Sequence, residues 1–277
     1  MTKIRELFGY STGTQRGWRK VMATQHCPFL GRKCLKNRKS EPDVAIGTCA
    51  VTHSDKDVVI CPSRFLERQV IFTDCLPLIR HEPGNELHII PEVGIPGGTV
   101  DYFLATTRSG RVRDFAGIEI QTLDTTGTLW PERQRFAQSK GVAVERADAT
   151  STKPFGMNWK MTAKTILVQL HHKVRTFQEV NHHLVLAVQD VLLDYITGEF
   201  TVAHLVEARP ADPLQIHAYR LAPAAGSTLS LQLAQRLSTD TDGVGKALGL
   251  QEEARVELSA IHAALEAKMS DRTRFTL

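Results

Sequence analysis

The chain has 277 residues, 42% of them hydrophobic and 23% charged, with a formal net charge of +4. These proportions exclude a disordered or fibrous protein, and no apolar run approaches the ~20 residues that a bilayer-spanning helix needs. The mild positive balance is compatible with a polyanionic partner without requiring one. Residues Met1 to Leu7 lack the apolar core of a signal peptide, so a cytoplasmic protein is expected. A short helix is expected from Ile4, leading into a cysteine-rich segment.

Five cysteines in such a chain argue against a disulfide framework. Cys27, Cys34, Cys49 and Cys61 fall within one short segment, separated by six, fourteen and eleven residues. Four thiolates suit a tetrahedral site for a soft ion, zinc or iron, although the tight Cys-x-x-Cys pairs of zinc ribbons are absent. Three of the four have turn-like neighbours: Cys27-Pro28, Gly47-Thr48-Cys49 and Cys61-Pro62. Four thiolates around a divalent ion leave an excess charge of about −2, which nearby cations should offset. Arg32, Lys33, Lys36, Arg38 and Lys39 lie between the ligands. The competing reading is four buried, inert cysteines beside a solvated basic loop. Cys75, in an apolar stretch, reads as a small core residue.

Pro62 to Arg68 has the look of a helix start, with proline in the first turn. Leu87-His88-Ile89-Ile90 fits an edge strand, and Gly94 to Gly98 a turn. Val100 to Thr106 and Gly117 to Thr122 read as strands joined through the turn signal Arg108-Ser109-Gly110-Arg111. Ile118 and Ile120 then share one face, Glu119 and Gln121 the other. A turn near Gly110 pairs residues whose numbers sum to roughly 220, which sets Asp101 across from Glu119 with Cβ atoms about 5 Å apart. Two carboxylates that close repel unless a cation or a shared proton lies between them, so a divalent metal is expected. A one-residue slip would undo the pairing, leaving Asp101 at a strand start and Glu119 on a solvated face.

Further on, Trp159 to Glu179 repeats apolar residues at helical spacing: Met161, Ile166, Leu170, Val174 and Phe177. Lys160 and Lys164 share a face of that helix and read as phosphate contacts or solvated surface. Leu184 to Val188 fits a buried strand, Val191 to Ile196 starts another helix, and Leu214 to Tyr219 alternates as a strand. Ser238 to Gly243 reads as a flexible loop, and Gly243-Val244-Gly245-Lys246-Ala247 lacks the residues of a phosphate loop. His171-His172 and His182-His183 are adjacent pairs, not the i, i+4 spacing of metal ligands. Glu252 to Met269 forms a last helix with Leu258, Ile261, Leu265 and Met269 on one face, for a core or a dimer seam. This succession gives an α/β fold, a mixed β-sheet flanked by helices. Residues 1–75 are expected to form an N-terminal helix and four-cysteine metal-binding module, and residues 76–277 the core.

Taken together, these residues resemble the type II restriction endonucleases typified by NotI. The matching stretches are Glu6-Leu7-Phe8-Gly9-Tyr10, Cys27-Pro28-Phe29-Leu30, Gly47-Thr48-Cys49-Ala50-Val51, Val59-Ile60-Cys61-Pro62-Ser63-Arg64 and Gly117 to Asp124, in the same order along the chain. That family carries a four-cysteine metal site, iron in its founding member, ahead of a PD-(D/E)XK nuclease core. The similarity fades after about the first two-thirds of the chain. The resemblance implies a restriction-endonuclease-like fold, with Asp101 and Glu119 as metal-binding carboxylates and the Ile120 carbonyl as a further Mg²⁺ ligand. Gln121 takes the position most of the superfamily fills with lysine. A neutral amide orients water only through hydrogen bonds, which leaves the general base open: water on the metal, a substrate phosphate, or a lysine from elsewhere.

The function so implied is Mg²⁺-dependent double-strand cleavage at a specific, palindromic site in double-stranded DNA, by a homodimer with one active site per strand and no membrane partner. Rival readings are a non-catalytic, metal-stabilised DNA-binding protein, an iron–tetrathiolate redox protein, and a related nuclease of repair or phage biology.

Overall fold

The computed structural model describes residues 2–200, 202–224, 228–249 and 258–269. Leu184, Leu186 and Val188 pack into one apolar cluster while Val185 and Ala187 pack into another, so the His183–Gln189 strand is covered on both faces. A strand buried on both sides has no need of alternation, which accounts for its continuous apolar run. It lies at the centre of a seven-stranded sheet. The order is Val206–Glu207, Thr228–Thr239, Leu214–Ala224, His183–Gln189, Arg111–Gln121, Gly98–Arg108 and Glu86–Ile95. The central three strands run parallel and the outer neighbours antiparallel. Parallel neighbours need crossovers, and helices Trp159–Glu179 and Asp190–Glu199 supply them. The result is a mixed α/β architecture with a large mixed sheet.

The hairpin turns at Ser109 and Gly110, whose φ values of 53° and 72° suit the tight turn that matches strand twist. From there Thr106 faces Asp114 and Tyr102 faces Ile118, the register the sequence predicts, with a bulge at Arg113 next to the turn. Glu86–Ile95 forms the sheet edge, as expected of Leu87 to Ile90.

The N-terminal residues depart from expectation. Ile4–Leu7 is a strand, not a helix, held between Tyr10–Ser11 and Thr48–His53 in a four-stranded sheet that ends with Lys56–Val59. Local helix preference loses there to pairing and burial: Ile4 and Leu7 are core residues, and Glu6 is buried against Arg64 at 2.7 Å. Arg64, wholly buried, also donates to Glu67 and to the Leu229 carbonyl, tying this sheet to the main one. One apolar cluster runs without a break from Ile4 and Trp18 through Val100 and Phe177 to Val244. Pro62–Gln69 is a 3-10 helix that kinks at Glu67 and Arg68 before the Val70–Cys75 α-helix, and Cys75 is buried in the core.

The expected flexible loop at Ser238 to Gly243 is also ordered structure. Ser238 and Thr239 finish a strand opposite Gln215 and Leu214, and Asp240 caps helix Thr241–Ala247 by accepting from the Gly243 N–H. Ser238 and Thr239 are buried in the ladder, and Asp240, exposed, satisfies a free N–H of the first turn. Of the expected last helix, Leu258–Glu266 is helical, with Ile261 and Met269 exposed, and residues 252–257 lie outside the described residues.

Candidate active site

Backbone pairing between the hairpin strands ends at Tyr102 and Ile118. Just past that point the Ile120 N–H donates to Oδ2 of Asp101 at 2.8 Å instead of to a facing carbonyl. A residue in an extended strand presents its N–H and C=O to the same edge, so the Ile120 carbonyl faces the Asp101 side. Glu119 lies across from Asp101 on the same sheet face, opposite the face to which Ile118 and Ile120 contribute. That face is covered by helix Trp159–Glu179, and Glu119 is only 5% exposed. The solvated face of the alternative reading is therefore absent here.

A buried carboxylate needs a partner. Glu119 has Lys173, whose Nζ donates to Oε1 at 2.7 Å and to the Thr99 carbonyl at 2.6 Å. Lys173 is itself only 6% exposed. It falls in phase with Ile166, Leu170, Val174 and Phe177 on the core side of the helix. Two glycines allow the helix to approach. A Cβ on Gly117 would lie 2.3 Å from Phe177 Cζ, and one on Gly97, at φ +101°, 2.7 Å from the His172 carbonyl oxygen.

Burial raises the pKa of Glu119 to about 7, with the Asp101 charge adding to the rise and Lys173 and the Asp101 N–H opposing it. Burial likewise raises Asp101, opposed by the Ile120 N–H and the Lys173 charge, with Glu92 pushing further upward. Both acids are therefore disfavoured in their charged forms chiefly by burial, and the Lys173 charge opposes the rise at each.

Gln121 donates its amide N–H to the Thr122 carbonyl at 2.6 Å, which leaves its oxygen as an acceptor. It lines a cavity of about 430 Å³ together with Ile120, Asp124, Lys36 and three of the cysteines, Cys27, Cys34 and Cys61. The cysteine segment thus abuts the end of the Glu119 strand. All four cysteines are buried and free. Cys27 is raised in pKa by burial and by the nearby Cys34 and Cys61, and Cys49, raised well above the ordinary thiol, also feels Cys61 and Cys27. The Phe29 and Leu30 N–H groups favour the Cys27 thiolate, the Gly9 N–H that of Cys49 and the Ser63 N–H that of Cys61. Burial raises Cys61 as well, opposed by the Lys36 charge, while Arg64 lies near Cys49. Among the described residues no three His, Cys, Asp or Glu side chains converge tightly enough to hold an ion as they stand. The four thiols share a neighbourhood without forming the expected closed tetrahedral site.

Lys36 also borders a second cavity, of about 530 Å³, with Asn37, Arg38, Lys39, Lys153 and Trp130. Arg38 is held by Asp148 and Glu41 and stacks over Trp130. Lys39 and Lys153 are exposed. Lys36 thus lines both cavities, the one beside Gln121 and the one beside Lys153.

Lys160 and Lys164, the helix lysines visible to sequence reading, are exposed, and the lysine that reaches the carboxylates is Lys173. The signal for it was its phase: three residues after Leu170 and four before Phe177, it occupies a core position of the helix. No protein-family model matches the chain, and no curated protein matches it in sequence. Among the described residues no helix is long and apolar enough to cross a membrane.

Proposed function

We propose that this chain is a Mg²⁺-dependent DNA endonuclease of the type II restriction class, acting in the cytoplasm as a homodimer on a palindromic site. The observation that carries the reading is the convergence of Asp101, Glu119 and the Ile120 backbone at the frayed end of one hairpin, beside a buried lysine. Carboxylate and carbonyl oxygens are hard donors, which Mg²⁺ selects. The donor set fits the ion. The αβ order of the core, a three-stranded meander followed by helix, parallel strand, helix and strand, suits a restriction-endonuclease-like fold.

Asp101, Glu119 and the Ile120 carbonyl would hold the ion. When bound, Mg²⁺ supplies Lewis acidity, lowering the pKa of water at the site and offsetting charge on the phosphate and the leaving oxygen. The Ile120 N–H fixes the Asp101 carboxylate, so that group needs no reorganisation. Gln121, its N–H committed to Thr122, offers an oxygen that can accept a hydrogen bond from the attacking water and orient it. Hydrolysis forms a bond from water oxygen to phosphorus and breaks the P–O3′ bond. One water proton is released and O3′ takes up a proton from solvent.

The cysteines would hold a structural iron or zinc ion. Their thiolate chemistry suits a soft metal, amide N–H groups already favour three of the thiolates, and Lys36 and Arg64 offset negative charge. Residues 1–75 would then act as a metal-organised module at the mouth of the nuclease core. Exposed Lys39 and Lys153 would take backbone phosphates.

The test is incubation of the purified protein with mixed genomic DNA and Mg²⁺, followed by sequencing of fragment ends. Ends that share one short two-fold symmetric sequence support the proposal, provided Glu119→Ala removes them. DNA binding without cleavage at any Mg²⁺ concentration sinks it.

A further inference from the structure

We propose that a second cavity, at the far end of the main sheet from the acid pair, binds a nucleoside 5′-monophosphate between Arg80 and Arg113. Its volume is about 510 Å³. The start of strand Arg111–Gln121, the end of helix Trp159–Glu179 and the loops at 77–80 and 210–213 enclose it. Asp114 in its wall and Glu119 lie five residues apart on one strand, which separates them by about 17 Å at the usual rise of ~3.4 Å per residue. The site stands whether or not the chain is a nuclease.

Hydrogen-bond bookkeeping carries the assignment. Asp114, the one carboxylate in the wall, is already served by the wall itself. It accepts the N–H groups of Arg80 and Phe115 at 2.7 and 2.8 Å and faces His182 Nε2 at 3.2 Å. His182 Nδ1 meets the Val180 carbonyl at 2.6 Å, and the Leu78 and Pro210 carbonyls flank the His183 ring at 3.2 and 2.8 Å. Donors are left over. The Arg80 and Arg113 guanidiniums have no hydrogen-bond or ion-pair partner among the described residues. Gln178 commits its oxygen to the N–H and hydroxyl of Thr241 at 3.3 and 2.8 Å, which leaves its NH₂ free to donate. Arginines that hold this fold together end on protein oxygens, as Arg64 does on Glu6 and Arg38 on Asp148. These two do not.

The surplus defines the ligand. A guanidinium fork meets phosphate oxygens two at a time, and a phosphomonoester carries about −1.5 to −2 charges near neutral pH, which two arginines balance. Arg113 occupies the hairpin bulge, an irregularity that re-aims a side chain out of the ladder. The volume falls within the ~300–1,000 Å³ of small-molecule sites, enough for a nucleotide and too little for a duplex. Pro77, Val180 and Pro213 give a flat ring an apolar bed, while the Gln178 and Asn181 amides offer donors to base or ribose oxygens. His182, stacked on Phe115 with ring centroids 4.0 Å apart, keeps this wall rigid.

The experiment is calorimetric titration of the full chain, without added Mg²⁺, with AMP, GMP, CMP and UMP, their nucleosides, and inorganic phosphate. The expected result is one site per chain for at least one nucleotide, with Kd below about 1 mM and at least about tenfold tighter than its nucleoside or phosphate. Arg80→Gln combined with Arg113→Gln should weaken that binding at least about tenfold with an unchanged melting temperature, since neither guanidinium has a partner to lose. Glu119→Gln should leave it unchanged, which separates this cavity from the acid pair. Binding by no nucleotide, equal binding by phosphate alone, or an unaltered Kd in the double variant overturns the proposal. Displacement of the nucleotide by a short DNA duplex would give the arginines to the DNA backbone and overturns it too. Should the double variant fail to fold, a crystal soaked in the nucleotide decides. Phosphate oxygens within about 3.2 Å of both guanidiniums support the site, and a nucleotide bound elsewhere overturns it.

Discussion

The carboxylate of Asp101 accepts the N–H of Ile120 at 2.8 Å, at the point where the two hairpin strands stop pairing through their backbones. One side chain thereby closes the frayed end of the sheet and fixes an acid beside Glu119. Structure and chemistry are separable at this bond. Asp101→Asn keeps an acceptor for the amide and should melt close to wild type. Asp101→Ala leaves the amide unpaired and should lose about 1.5–3 kcal/mol, the value of a hydrogen bond to a charged group. Both substitutions remove the negative charge, and both should abolish Mg²⁺-dependent cleavage. Chemical denaturation alongside plasmid cleavage checks the pair, and robust cutting by Asp101→Asn would refute the ligand assignment.

Glu119 sets a pH dependence. Its pKa rises from the ordinary carboxylate value to about 7 in the folded, metal-free chain, chiefly through burial. A raised acid binds its proton more tightly folded than unfolded, so its contribution is complete below about pH 4.5 and is lost as pH rises through about 7. Metal binding competes with that proton. Calorimetry should show Mg²⁺ affinity increasing with pH up to about 7 and levelling above it, with proton release on binding below that point. A flat affinity between pH 5 and 8 would contradict the assignment of Glu119 as a ligand.

His217 makes an opposite contribution. Buried on the Leu214–Ala224 strand and beside the Arg236 charge, it has its pKa lowered to about 4. A depressed histidine stabilises the fold above its unfolded pKa of about 6.5, and that stabilisation disappears as pH falls toward about 4. His217→Phe should flatten the decline in melting temperature over this window. An unchanged slope in the variant would show that His217 is not protonated on unfolding there.

The cysteines divide by role. Cys34→Ser should lower the bound iron or zinc measured by elemental analysis and lower solubility with it. Cys75→Ala, a change in an apolar environment away from the other four, should leave metal content intact. Equal metal content in the two variants would dissociate the cluster from metal binding.

Lys39 and Lys153 flank the basic cavity beyond Lys36. If each neutralises one phosphate, the double variant Lys39→Ala, Lys153→Ala should reduce the salt dependence of DNA binding. The slope of log K against log salt would flatten by about 1.8, which is about 0.9 for each phosphate left without its lysine. Fluorescence anisotropy in Ca²⁺ across a salt series measures it, and an unchanged slope would place the DNA elsewhere.

Much of the hairpin was legible because its information is local. Alternation of Ile118 and Ile120 with Glu119 and Gln121, and the Ser109-Gly110 turn, suffice to define faces and register without knowledge of the rest of the chain. The Trp159–Glu179 helix and the doubly covered His183–Gln189 strand declared themselves through period and composition in the same way. Ile4–Leu7 did not, because a four-residue segment has too little periodicity to outvote the partners that flank it, Thr48–His53 and Tyr10–Ser11.

By itself, then, the sequence determined which side chains share a strand face, where the chain turns, and which residues bring hard oxygen or soft sulfur donors. Those properties depend on neighbours within a few positions. Tertiary structure alone decided that Glu119 is buried instead of solvated, that Lys173 and not Lys160 or Lys164 meets it, and how closely the cysteines gather. Each of these depends on how one element docks on another, through close approaches at Gly97 and Gly117 whose partners lie dozens of residues away.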